Sequence, residues 1–356
     1  MNKPFDPHGA FTALVTPFLG TGDGAKCDDA AFKANVEFQI ANGITGLVPT
    51  GTTGESPTLT WDEHNRVIEL CVEVARDRVS VLAGTGSNST DEAILSTKHA
   101  RDLGASAALL VDCYYNGPSS LELREEYYER VLAAVSDFPI VPYIIPARSG
   151  CALSAADLAV LHQSAPKLVP AVKQATGDLE RMAEDRELAG DSLAILSGDD
   201  DLTLAMMRDT RIAASGVISV MSNIVPAAIT ELVQAQAAGN DARARALETQ
   251  LKPLFGLVGC PMQSTRTLAN GRVVTTTDKF RNPGPIKTMM AGLGMLRHGM
   301  RAPLGSMSRD AVAHCRATLV ALNQSAPELL QPIEAAFDVS IATRLADDAV
   351  WSALCR

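Results

Sequence analysis

The sequence has no apolar run approaching the roughly 18–20 residues that cross a bilayer, so no membrane span is expected. Its start, MNKPFDPHGAF, lacks an apolar h-region, and no signal peptide is expected. There is no C-x-x-C. The seven cysteines (Cys27, Cys71, Cys113, Cys151, Cys260, Cys315 and Cys355) are odd in number and scattered. That suits reduced cytoplasmic thiols better than a disulfide framework or a zinc site. The six histidines show no H-E-x-x-H or related ligand spacing, so no metal is expected. Positive charge is short as well: 31 Lys and Arg stand against 41 Asp and Glu, a net charge of −10. No basic excess is left for nucleic acid or for a polybasic membrane anchor.

What is present fits a globular chain. Hydrophobic residues make up 46% and charged residues 20%, which excludes a disordered segment, and 356 residues suit one large domain or two ordinary ones. Buried strands are predicted at Phe11–Val15, Gly46–Val48, Val79–Ala83, Ala107–Val111, Ile140–Ile144, Leu168–Val172, Leu193–Leu196 and Gly216–Val220. Their spacing is that of a βα unit, and helix-like patterns such as Asp62–Arg76, Leu121–Val135 and Ser154–Gln163 fill the gaps. Eight such units imply an α/β fold, a closed (β/α)8 TIM barrel, over residues 1–238. A doubly wound sheet would be expected to carry a glycine fingerprint after the first strand, where Thr16-Pro17-Phe18 stands instead. Residues 239–356 read as a C-terminal helical subdomain with helices near Asp241–Val258, Gly284–His298, Ser308–Leu322 and Glu328–Asp347. A polar stretch at 263–282 reads as an inserted loop or small hairpin, its Val273–Thr277 run favouring a strand, and the last 30 or so residues as an extension.

In such a barrel the site lies at the C-terminal ends of the strands. There stand Gly51-Thr52-Thr53-Gly54-Glu55-Ser56, Tyr114-Tyr115-Asn116, and Tyr143 with Arg148. The Thr N–H and hydroxyl groups suit a carboxylate, though a tight turn needs no ligand. The tyrosines suit a pocket or rim packing, and an arginine can grip a carboxylate through two parallel bonds. Lys173 closes an apolar strand. Burial disfavours its ammonium form and favours a nucleophilic amine able to form a Schiff base with a keto substrate; the ordinary alternative is a lysine reaching from a strand end to solvent.

Taken jointly, Gly51–Ser56, Lys173-Gln174-Ala175-Thr176-Gly177, Ser197-Gly198-Asp199-Asp200 and Gly216–Val220 resemble the dihydrodipicolinate synthase / N-acetylneuraminate lyase family of class I aldolases. The likeness runs from about residue 9 to 254 and resumes at Asn282–Lys287. It implies an enzyme in which Lys173 forms the Schiff base with pyruvate, Tyr143 shuttles the proton, and Thr52 links Tyr143 to a Tyr115 supplied by a neighbouring subunit. Thr53 would bind the pyruvate carboxylate, with Gly198 and the Ile218 carbonyl beside the substrate. A homo-oligomer, tetramer or dimer, follows, and no organic cofactor is implied because the lysine is the electron sink. Arg148 matches the arginine that holds the carboxylate of aspartate semialdehyde in the synthase branch, the branch of lysine and diaminopimelate biosynthesis. Departures are Ile144 in place of the usual Asn, Ala147-Arg148-Ser149, Gln174 for Glu, the 263–282 insertion and the extension. They leave a sister aldolase or lyase acting on sialic acid or a keto-deoxy sugar acid as the second reading, and an inactive binding barrel as a third.

The resemblance also implies a regulatory lysine site at Ser56, Trp61, His64, Asn88, Glu92 and Tyr114. A carboxylate can meet an amino group and an aromatic can stack on its stem. Against this, Ser89-x-x-Glu92 reads as a helix capping box that needs no ligand.

Overall fold

A computed structural model describes residues 3–297 and 299–356. The chain divides into two compact units, Met1–Thr16 with Phe32–Thr249, and Pro17–Ala31 with Gln250–Arg356. The division thus falls inside the helix Asp241–Phe255, where residue 238 was expected, and a short early segment joins the second unit.

The first unit is the expected closed barrel. Its eight strands are β1 (Gly9–Ala13), β2 (Gly46–Val48), β3 (Ser80–Gly84), β4 (Ala107–Val111), β5 (Ile140–Ile144), β6 (Ala171–Gln174), β7 (Ala194–Ser197) and β8 (Gly216–Ser219). All neighbours pair in parallel, and β1 closes the ring by pairing with both β2 and β8. At the β1–β8 seam only a glycine fits, since a Cβ on Gly216 would lie 1.9 Å from the Gly9 carbonyl oxygen. Alternate residues face the interior, as period-2 strands require: Phe11 and Ala13, Ala107 and Leu109, Val141 and Tyr143 form one buried cluster with Ala171, Ala175, Leu196 and Ile218. Lys173 shares the parity of Ala171 and Ala175, so it points inward.

Several expected boundaries shift; β1, expected at Phe11–Val15, is Gly9–Ala13. β6 starts at Ala171 and not Leu168, because the Leu168 and Val169 N–H groups both turn back to the Ala165 carbonyl at 2.9 Å. The helix expected at Asp62–Arg76 is Trp61–Ala75, opened by a capping box between Thr60 and Glu63. The stretch expected as one α-helix at Leu121–Val135 is helical over 120–134, but Leu123–Tyr128 is wound as a π-helix. That wider turn places two successive tyrosines against β4: the hydroxyl of Tyr127 donates to the Val111 carbonyl, and that of Tyr128 to the Asp112 carboxylate at 2.6 Å.

In the second unit, the insertion is an antiparallel ribbon, β9 (Gly259–Thr267) and β10 (Val273–Arg281). The helix expected at Gly284–His298 ends at Leu293 with Gly294 left-handed at φ 89°; His298 lies outside the described residues. The single helix expected at Glu328–Asp347 is instead broken into Gln331–Phe337, Ile341–Ala346 and Asp348–Ser352. Asp338 turns left-handed at φ 50°, then Ser340 and Asp347 each accept N–H bonds that start a new helix. The extension packs on its own unit: Trp351 is buried against Gly292, where a Cβ would meet the ring at 2.2 Å, and the Arg356 N–H donates to the Met307 carbonyl.

Candidate active site

Parallel pairing of β5 with β6 sets Tyr143 opposite Lys173. Lys173 Nζ lies 4.0 Å from the centroid of the Tyr143 ring, and both residues are 5% exposed. This is a cation–π contact shielded from water, where such contacts are strongest. β7 then delivers Gly198 beside them. A Cβ there would stand 3.1 Å from Lys173 Cε and 2.7 Å from the Ala175 methyl, so the absence of a side chain makes room for the lysine. Ile218 is fully buried on β8, in register with Phe11.

The segment after β2 is a tight turn. The Gly54 N–H donates to the Gly51 carbonyl and the Glu55 N–H to the Thr52 carbonyl, while Thr50 and Glu55 adopt left-handed φ near 55°. Thr16, three residues past β1, locks it by donating its hydroxyl to the Gly54 carbonyl at 2.7 Å. Thr53 is buried and Thr52 half-buried. Thr52, Tyr143 and Arg148 line one cavity of about 310 Å³, together with Ser56 and Tyr114. Arg148 stands in the short helix Pro146–Ser149, which starts with a proline and ends at left-handed Gly150. Within one chain Tyr115 does not line this cavity. It is 90% exposed with φ 82°, and its N–H donates to the Ser149 carbonyl.

The residues of the regulatory set fall into two groups. Ser87 donates its hydroxyl to the Glu92 carboxylate at 2.6 Å and sits 3.4 Å from the Asn88 side chain. The capping box expected at Ser89 is therefore not formed; Ser89 occupies the N-cap position, but its side chain caps nothing. Tyr114 lies close enough to feel Glu92: burial raises its hydroxyl pKa, and the Glu92 charge adds to the rise. Trp61 and His64 meet edge to face at 5.0 Å. Burial lowers His64 to about 4, so its imidazole is neutral at pH 7.

Three carboxylates not expected as site elements stand near the strand ends, Asp112 and Asp200 buried and Asp199 half-buried. Asp199, one residue past Gly198, is raised to about 6 by burial and by Asp201, with the charge on Lys173 opposing. Asp200 accepts the Ser219 hydroxyl and the Val220 and Met221 N–H groups, pinning the chain just after Ile218. Asp112 accepts the Tyr128 hydroxyl and the Leu153 N–H beneath Tyr114, and burial raises it to about 7. Asp112 directly follows β4, whereas Asp199 and Asp200 stand two and three residues past the end of β7.

Comparison with known proteins shows what the whole chain is similar to. The 4-hydroxy-tetrahydrodipicolinate synthase of Methanothrix thermoacetophila is 40% identical over 316 residues, covering 88% of this chain and 97% of its own. That of Syntrophus aciditrophicus is 39% identical over 300 residues, covering 84% and 93%. The crystal structure of dihydrodipicolinate synthase from Aquifex aeolicus superposes with a TM-score of 0.78 at 37% identity, over 89% of this chain and 98% of that one. With the dihydrodipicolinate synthetase family model matching residues 6–322, the chain belongs to that family.

Proposed function

We propose that this enzyme condenses pyruvate with L-aspartate 4-semialdehyde to give 4-hydroxy-tetrahydrodipicolinate, the step that feeds lysine and diaminopimelate synthesis. The observation that carries the reading is the Lys173–Tyr143 pair, held in register across β5 and β6 at the C-terminal rim of the barrel. The Lys173 amine adds to the pyruvate keto carbon, and loss of water leaves an imine. The imine withdraws electrons as a proton leaves the methyl carbon, and the resulting enamine adds to the aldehyde. The acceptor's amine then displaces Lys173, closing the ring and freeing the lysine.

Tyr143 moves the protons of imine formation, linked through Thr52 to the Tyr115 of a second copy. The outward, left-handed Tyr115 supports that role, since its ring is available to another subunit. Thr53 holds the pyruvate carboxylate, and Arg148, on the cavity wall, holds that of the aldehyde. Gly198 and the Ile218 carbonyl flank the imine. The lysine provides the electron sink that a cofactor would otherwise supply. Lysine, the end product, binds near Ser56, Trp61, His64, Asn88, Glu92 and Tyr114; the Glu92 carboxylate, not engaged in a cap, supports this.

The test is trapping. Incubation with pyruvate and borohydride should leave one pyruvate-derived adduct on Lys173, detected by mass, and none in Lys173→Ala. Active protein without the adduct would falsify the assignment. Assays with aspartate semialdehyde against N-acetylmannosamine and sugar-acid aldehydes identify the acceptor.

A further inference from the structure

The ribbon β9–β10 pairs over its full length, from Gly259 opposite Arg281 to Thr267 opposite Val273. At roughly 3.4 Å per residue its nine-residue strands reach about 30 Å. Its root is anchored: Cys260 is 1% exposed, beside Cys315 of the helix Arg309–Ser325. The remainder is not, with Val273 62% and Leu268 42% exposed. A two-stranded ribbon in water is marginal by itself and gains stability from a third strand or a covering surface. One face carries Gln263, Thr265, Thr267, Val273, Thr275 and Thr277, all exposed, a flat β-branched surface suited to lie against another.

Charge selects what covers it. Residues 259–281 hold four Lys or Arg (Arg266, Arg272, Lys279, Arg281) and one acid, Asp278, a net +3. The barrel unit holds 18 Lys and Arg against 31 Asp and Glu, a net −13. The second unit as a whole is also +3, so the ribbon accounts for all of its excess. Ribbon-to-ribbon pairing would oppose like charges, whereas each copy offers one basic arm and one acidic barrel, which is complementary in a symmetric assembly.

We propose that the ribbon Gly259–Arg281 is an assembly arm that docks on the acidic barrel surface of a second copy of this chain. Two variants test it by sedimentation velocity: one replacing Met262–Lys279 with Asn-Gly, and the charge variant Arg272→Glu/Lys279→Glu, which leaves the ladder and the Arg266–Asp278 pair in place. Wild-type association should weaken about tenfold between roughly 50 and 500 mM salt, because screening shortens the reach of surface charge. Both variants should show the weakened association already at low salt, and the charge variant should keep the wild-type circular dichroism. The proposal is overturned if wild type is monomeric throughout, if the variants match wild type at every concentration and salt, or if a ribbon-dependent complex forms only with added RNA.

Discussion

Replacing Gly198 with alanine would set a methyl group 2.7 Å from the Ala175 methyl, 2.9 Å from the Gln174 carbonyl oxygen and 3.1 Å from Lys173 Cε. Ordinary contact begins near 3.4 Å, so the three neighbours must give by about 0.7, 0.5 and 0.3 Å. Two of them, Gln174 and Lys173, belong to β6 and the third, Ala175, lies just past it, so relief moves β6 itself. Overpacking of this kind costs about 1–3 kcal/mol. In a barrel of this size that is a fall of roughly 2–10 °C in melting temperature. The larger effect is on rate. A displacement approaching 1 Å at a reacting group costs about 100-fold, and a shift of half that size is expected to lower kcat by roughly 10-fold or more. The assay combines a thermal melt, steady-state kinetics and the rate of borohydride-trapped adduct formation with pyruvate. Trapping should slow in step with kcat. Unchanged trapping and kcat alongside a lowered melting point would refute the claim that Gly198 keeps room for the lysine.

Other outcomes follow from the same geometry. Arg148→Ala should raise KM for the aldehyde at least tenfold while leaving that for pyruvate nearly unchanged; equal effects would mark a structural arginine. Millimolar lysine should slow wild type and Glu92→Thr should blunt the response; indifference of wild type removes the regulatory site. Asp112 has a folded-state pKa of about 7, above its unfolded value of 3.8, so its contribution is complete below 3.8 and is lost as pH rises toward 7. Denaturant titrations should therefore show Asp112→Asn gaining about 3 kcal/mol relative to wild type between pH 5 and 8. His64 acts in the opposite sense: its folded value of about 4 lies below the unfolded 6.5, so stability is complete above 6.5 and falls as pH drops toward 4. His64→Asn should flatten that acid limb, and an unaltered limb would show that burial of the imidazole is not its source.

Much of the barrel was legible because its strands are short and fully buried. Ala107–Val111 ends where its apolar run does, at Asp112. Leu168 and Val169 are equally apolar, yet their N–H groups serve a turn, and only the hydrogen-bond pattern reveals that. The correction matters to the site, because it sets Lys173 within the ladder opposite Tyr143 rather than at its frayed end. Lys173, Thr52 and Arg148 stood out by position after a strand. Asp112 directly follows β4 and Asp199 and Asp200 lie two and three residues past β7, yet none was expected in the site, because acidic residues near strand ends are usually solvated and nothing local announces their burial. Ser89 and Glu92 misled in the opposite way: the spacing of a capping box was present, but Ser87, two residues earlier and outside the pattern, captured the carboxylate. The broken helices after Glu328 depend on Asp338 turning left-handed, which its helix-compatible surroundings do not disclose.

The conformation of Tyr115 has an evolutionary consequence. A bulky side chain at φ 82°, almost wholly in solvent, holds a backbone posture that glycine would adopt without strain. Drift toward a sturdier monomer would favour glycine there, at the cost of an aromatic ring that the proposed assembly uses. Tyr115 is therefore the position at which selection for the proposed assembly and selection for the single chain pull in opposite directions. Sequences that keep the barrel but have relaxed this position are where a self-sufficient, solitary version of the enzyme should be sought.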